Sequence, residues 1–540
     1  MKVSKNSFLF WFYLFFASVV FAQNPMDRVL PADSYFYTPT INTANQMSFP
    51  DGDNSSSALQ SMIHSLASSG GGVLNIKAGT YTIDKLIHIK SNVHIRVNPG
   101  VVFKTTVARG AIFQAGYEAN YTLAENWSIQ STTGEKFTFD FEGLLPGDNI
   151  RAVQLGYATN FKIADFVVLD NYTKFNAISS GAVGDDVTQG SAKFSSFGII
   201  ENLDIKKAHY GYGLIQCQVG QDLLFRNLSG EGGVTLRFES GFSGLADRYV
   251  TDKTPIINNV YGRNISCIDG AHAVMLSPHT ITQGIADVRD ITGISCEAVV
   301  SINFGFMSAS KGQEAPNHSS GTFSEASVIA NVSATYGVNA QVRAARLRHV
   351  PCALRNYISL DEINPDDESY KGPSLAPVYY LALEDYESFE SPDGRYKIVL
   401  ENVTHTGFSS EIRADGLITD GGENDFEGCD IDRAPIWIKG EDKNTPNPLQ
   451  TSTVAIVLDV NDFIKDSNIV IYQQENVRNL IIKSPFHGGL KIYNVLGELV
   501  NEVPFFKNNT TVDVSKMTKG VYIILMESDK KIITKKIIIK

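Results

Sequence analysis

The run Gly232-Gly-Val-Thr-Leu-Arg-Phe-Glu-Ser-Gly241 alternates apolar and polar residues with a period of two. On an extended strand Val234, Leu236 and Phe238 share one face, while Thr235, Arg237, Glu239 and Gly241 share the other. The apolar set must point into a core, so Arg237 and Glu239 project from an accessible face. The earlier stretch Gly213-Leu-Ile-Gln-Cys-Gln218 has the same parity, with Gln216 and Gln218 outward, and the later Ala273-Val-Met-Leu-Ser-Pro-His-Thr280 ends in His279 behind a proline. If the three strands stack, Gln216, Glu239 and His279 meet on one surface. A carboxyl group between an amide and an imidazole can protonate a glycosidic oxygen, although an outward glutamate beside an arginine is also what a surface ion pair looks like.

Such stacking requires repeated coils, and the chain carries a repeat. A branched apolar residue followed by Ser or Thr, usually after Asn, recurs as Asn227-Leu-Ser, Asn264-Ile-Ser, Ile294-Ser-Cys, Asn331-Val-Ser and Asn402-Val-Thr. Intervals of roughly 30 to 40 residues, or twice that, without helical periodicity predict an all-β solenoid, a parallel β-helix whose inward residues touch only the coils above and below. Leu59, Met62, Ile63 and Leu66 follow helical spacing, with Ser and Asp ahead of them and glycines behind. They predict a helix that caps the open N-terminal end. The coil pattern breaks over about 308–395, apart from a coil-like strand at Ala326–Gly337, and is expected to form an inserted lid. A linker is expected over 441–470, and a small β-sandwich ending in the Lys/Ile-rich Lys530–Lys540 over 471–540.

The whole chain has 540 residues, a net charge of −12, 43% hydrophobic and 19% charged residues. It is too apolar to be disordered, and the acidic balance argues against a nucleic-acid binder. Lys2 and Lys5, the apolar run Phe8–Phe21 and the small residues near Ala22 predict a signal peptide over 1–22. No later segment reads as a transmembrane anchor. Cys217, Cys267, Cys296, Cys352 and Cys429 are odd in number and dispersed, which suits buried small side chains better than a disulfide framework or a zinc site.

Between Ala326 and Leu360 there is no acidic residue, yet Arg343, Arg346, Arg348 and Arg355 all fall there. With Arg237 they form a candidate surface for sulfate, whose oxygens suit the guanidinium fork; pairing with the acidic Asp361–Glu368 stretch is the alternative. The cluster Asp415, Asp420, Asp425, Asp430 and Asp432 could hold a structural Ca2+ or Na+. Its spacing matches no defined calcium loop, and no metal is assigned to the chemistry, for which no cofactor is required.

GGVTLRFES, followed by NNVYGRNISCIDGAHAVMLSPHT and GISCEAVV, resembles the ι-carrageenases, family 82 of the glycoside hydrolases, over Asp51 to about Lys439. The resemblance implies a right-handed parallel β-helix that cleaves β-1,4 linkages of ι-carrageenan, a sulfated galactan, endo-wise and with inversion. By position it makes Glu239 the general acid, His279 the active-site histidine and Gln216 the glutamine near the catalytic water. One departure stands out: the family's general base is an Asp two residues after the acid, where this chain has Gly241. His279 is therefore expected to position or deprotonate the water, with Asp247 and Asp269 as further candidates, and Gly241→Asp is expected to raise turnover if the backbone there is ordinary β. Two rival readings stay open, a non-catalytic binder of sulfated polysaccharide and a β-helix lyase. The tail, with LKIYNVLGELV and MTKGVYIILMESDKKIITKKIIIK, resembles the type IX secretion C-terminal sorting domain. It implies the type IX machinery as a partner and a secreted or surface-attached product.

Overall fold

The computed structural model describes residues 24–408 apart from 53, 119–120, 185–191, 314–315 and breaks between 351 and 393, together with 417–418 and most of 470–539. The predicted signal peptide, the linker up to 469, and the loop from Asp420 to Asp432 with Asp415 lie outside them. The chain divides into two units, Met1–Thr445 and Pro446–Lys540.

In the first unit successive coils add parallel strands to three stacks. One begins with Gln46–Phe49, Gly72–Ile76 and Val93–Val97. The second begins with Gly79–Thr82 and Val101–Lys104. The third runs through Ile87–Ile89, Phe113–Ala115, Val153–Leu155 and Ile178–Ser180. It continues into the ends of Ser196–Cys217 and Gly220–Glu239, then His272–Ser277, Ala298–Ile302 and Ala376–Tyr380. Inward side chains of consecutive coils fill the bore; Trp127 stacks on Phe161 with centroids 5.2 Å apart, and both are fully buried. Parallel strands covered on the bore side read as the apolar halves of alternating runs, which explains why Val234, Leu236 and Phe238 are inside.

The bend between the first two stacks is made by one residue per coil in the left-handed region. Asp165, Asn202, Asn227, Asn264, Asp290, Asn331 and Asn402 all have φ between 54° and 67°. Short amide and carboxylate side chains tolerate that conformation, and here they bond along the stack. Asn264 Nδ2 donates to Asn227 Oδ1 at 2.9 Å, Asn331 to Asp290 at 2.8 Å and Asn402 to Asn331 at 3.0 Å. The register corrects one repeat: Ile265 pairs with Ile291, so the rung is Asp290-Ile291-Thr292 and not Ile294-Ser-Cys. Aspartate fills the left-handed position as asparagine does, which a search for Asn passes over.

A second left-handed column, Asn92, Asn126, Asn160, Phe197, Asp222 and Asn259, carries the residues that follow the predicted signal peptide. Thr40 N and O bond the Asn126 amide at 2.9 and 2.7 Å, and Thr38 N and O bond Asn160 at 2.8 and 3.0 Å. Tyr35 donates to Asp222 at 2.6 Å. The helix Ser56–Ser68, N-capped by Ser55 Oγ on Ala58 N at 3.1 Å, buries Leu59, Ile63 and Leu66 over the first coils.

The region expected as one lid holds two coil strands. Val328–Thr335 pairs with Ala286–Ile294 and Val399–Thr406, and Ala376–Tyr380 pairs with Ala298–Ile302. Among the described residues, those that leave the solenoid here fall within 303–327 and 336–375. The second excursion forms an antiparallel sheet of Ala340–Arg343, Ser369–Gly372 and Glu362–Asn364, with Val342, Leu347, Val350 and Tyr370 in an apolar cluster shared with Ala298, Ala376 and Tyr379 of the coil strands. The C-terminal unit consists of a three-stranded and a four-stranded antiparallel sheet. Leu480, Ile482 and Val512 from one face Leu490, Ile524 and Met526 from the other in a shared core, a small β-sandwich.

Candidate active site

The third stack bears a cleft of about 580 Å³. Register sets its floor: Gln216 lies beside Arg237, Arg237 beside Met275, and Glu239 beside Ser277. Gln216 Nε2 donates to Glu239 Oε2 at 3.0 Å, and the Arg237 guanidinium pairs with the same oxygen. His279 Nε2 lies 3.1 Å from Oε1. Gln216, Glu239 and His279 thus meet as the strand parity predicts. The His279 backbone is left-handed at φ 51°, a strained conformation for a non-glycine residue, and it turns the ring back over the strand end and against Phe306, centroids 4.4 Å apart.

The Glu239 side chain is 14% exposed. Burial pushes its carboxyl up, but the Arg237 charge and the bonds from His279 and Arg237 outweigh burial and hold it down at about 2. Glu239 is therefore an anion in the unliganded cleft. Arg237 also donates to Gly211 O, and its Nε, like His279 Nδ1, is buried without a hydrogen-bond partner.

Gly241 has no positive φ, so its backbone alone would accept a side chain. A Cβ there, however, would stand 2.7 Å from His279 Nε2 and 2.8 Å from Cε1. The imidazole occupies the space into which a residue at 241 would grow. Gly241→Asp therefore has to move the imidazole in order to place its carboxylate. Asp247 and Asp269 are elsewhere: Asp247 lies on the helix Ser243–Thr251, exposed and 3.3 Å from His318, and neither lines the cleft.

Several lining residues carry no sequence pattern. Between Ile205 and Gly213 the register slips, and this bulge swings Tyr210 and Tyr212 into the cleft. Lys311, from the first excursion, donates to Gly241 O at 3.0 Å. Glu297, within the GISCEAVV run, is the cleft's other carboxyl group among the described residues. It is 1% exposed and accepts from Tyr210 Oη at 3.0 Å and Arg343 N at 2.9 Å. Burial raises its carboxyl to about 7, against the opposing charge of Arg346. Val234 is level with His272 and Val274 with Val300, so Glu297 stands level with Gly233. Six strand positions separate its backbone from that of Glu239, about 20 Å along the strand direction. Of the arginine strip, Arg343 and Arg346 line the cleft, Arg346 5.4 Å above the Tyr379 ring; the Arg348 side chain and Arg355 lie outside the described residues. The cleft thus holds two carboxyl groups and is lined by Arg237, Arg343, Arg346 and Lys311.

Comparison with known proteins identifies the fold and the family. The secretion system C-terminal sorting domain family matches residues 476–540, which carries the protein out of the cell, and no helix among the described residues is long and apolar enough to cross a membrane. A 1,3-α-1,4-β-D-galactose-4-sulfate-3,6-anhydro-D-galactose-2-sulfate galactohydrolase superposes with a TM-score of 0.62 at 27% identity, over 73% of this chain and 94% of that one. An ι-carrageenase complexed to ι-carrageenan fragments gives 0.61 at 25% identity, with the same coverage. Their right-handed parallel β-helix is the architecture found here. An ι-carrageenase of Zobellia galactanivorans is 31% identical over 443 residues, which are 70% of this chain and 86% of that relative. The chain belongs to the ι-carrageenase family.

Proposed function

We propose that the protein is an exported glycoside hydrolase that cleaves the β-1,4 linkages of ι-carrageenan from within the chain and with inversion. The observation that supports this best is the placement of Glu239, held by Gln216, Arg237 and His279 in a cleft also lined by Arg343, Arg346 and Lys311. Glu239 donates a proton to the leaving oxygen, and Gln216 positions the attacking water. His279 occupies the room left by the missing side chain at 241 and accepts the water's proton; the sugar must part it from Glu239, because at 3.1 Å no ring fits between them. Arg237, Arg343, Arg346 and Arg348 hold sulfates. The reaction consumes only water and needs no cofactor. The sorting domain hands the protein to the type IX machinery, for secretion or attachment at the cell surface.

The test is Glu239→Gln with ι-carrageenan as substrate. Turnover should fall at least about a hundredfold, with reducing ends released by the parent and thermal unfolding unchanged. Near-parental turnover would remove Glu239 from its role. An ultraviolet-absorbing unsaturated product would mark a lyase instead, and retained binding with no cleavage by the parent would mark a binding protein.

A further inference from the structure

A proton donor that is ionised at rest must acquire its proton after the substrate arrives. Two groups hold Glu239 as an anion: the Arg237 guanidinium on Oε2 and His279 on Oε1. Gln216 adds a neutral bond. Lys311, from the first excursion, is turned to the Gly241 carbonyl; Glu297, Arg343, Arg346 and His272 line the cleft farther along. Arg237 is therefore the charge whose departure would change Glu239 most. It is also built to depart. It lines the cleft, it donates besides to the carbonyl of Gly211 in the bulge, and its Nε has no partner. A sulfate offers the same forked acceptor as a carboxylate, and the relatives' substrate carries one on each sugar of its repeat.

We propose that Arg237 is a sulfate-operated gate: a substrate sulfate draws its guanidinium off Glu239, and the carboxylate, relieved of that charge, takes up a proton from solvent water in the cleft. One proton moves, from water to Glu239, and no other covalent bond changes. That step leaves Glu239 as a neutral acid. In cleavage Glu239 gives that proton to the glycosidic oxygen as the bond from the anomeric carbon breaks. The water oxygen bonds to that carbon and its proton passes to His279. Release of that proton from His279 to solvent returns the pair to its resting charges. The preference for sulfated galactan then lies in the chemical step as well as in binding.

This inference rests on Glu239 being the proton donor, and the experiment separates the two. Infrared difference spectra are recorded on adding ι-carrageenan fragments, or the same fragments desulfated, to the parent and to Glu239→Gln. A protonated carboxyl band should appear in the parent with the sulfated fragments alone and be absent from Glu239→Gln. In Arg237→Gln the band should be present before any ligand. At saturating substrate, the ratio of kcat on sulfated to desulfated galactan should shrink at least about tenfold in that variant, since each unit of carboxyl pKa is tenfold in protonated fraction. Arg237→Lys, which keeps the charge, should leave the resting carboxyl ionised. No band with sulfated fragments, or an equal band with desulfated ones, overturns the gate while Glu239 keeps its role if Glu239→Gln is inactive. An active Glu239→Gln overturns both.

Discussion

At position 241 a carboxylate and the imidazole of His279 compete for one space. A Cβ there would lie inside van der Waals contact with three atoms of the ring, so Gly241→Asp must displace His279 or shift the strand end. We expect the single variant to lose turnover, and His279→Ala alone to lose turnover more than binding, with a changed acid limb in its pH profile, where a base is lost to protonation. Combining Gly241→Asp with His279→Ala removes the clash and supplies a carboxylate at strand spacing i+2, so the double variant should turn over faster than either single one. Steady-state kinetics on the four enzymes of this cycle measure the coupling. A double variant no better than His279→Ala would show that the space, and not the base, is what the glycine serves.

Among the elements, the left-handed column carries more than decoration of a turn. It fixes where each coil bends, and so how far along the third stack Gln216, Arg237 and Glu239 sit relative to their neighbours. Asn264 holds φ 56° and bonds Asn227. Asn264→Ala loses the bond and places a less tolerant residue in that region, a loss of about 2 kcal/mol. Asn264→Gly loses the bond yet keeps the conformation, so it should destabilise less. Denaturant unfolding of the two variants distinguishes hydrogen bonding from backbone strain as the source of the column's contribution.

For the molecule as a whole, charge and burial set two solution properties. A chain of net charge −12 takes up a polyanion only through local cations, and Arg343 and Arg346 line the cleft. Short-range pairs of this kind weaken as salt is added, so affinity for ι-carrageenan should fall with ionic strength, and replacing both arginines by alanine should flatten that curve in binding isotherms. Stability should carry the mark of His94, a fully buried ring between Ser128 Oγ at 3.1 Å and Thr40 O at 3.3 Å. Burial first, then the Arg96 charge, push its pKa down to about 4, against the pull of the Thr40 carbonyl. The unfolded histidine takes its proton near its ordinary 6.5 while the folded one stays neutral until about 4. Stability is therefore lost as pH falls between those values, by up to about 1.4 kcal/mol per unit. His94→Gln should remove that part of the slope from a pH series of denaturant melts.

Sequence alone determined the features that period and residue type dictate. Alternation along 234–239 placed Leu236 inside and Glu239 outside, because on a strand neighbouring side chains must point oppositely. Repeated Asn-apolar-Ser/Thr units announced stacked coils, helical spacing at Leu59 and Ile63 announced the cap, and the motif around Glu239 pointed to its family. Register across coils was legible only in part, since Asp290 does the work of an asparagine and the excursions vary in length. What tertiary structure alone decided are the meetings that no local pattern encodes. The bulge at His209–Tyr212 brings Tyr210 to Glu297 across 87 residues of chain, and the left-handed turn at His279 folds its ring into the space beside Gly241. The low carboxyl pKa of Glu239 belongs to the same class: burial pulls it up, Arg237 and His279 together pull it down, and only their geometry sets the balance.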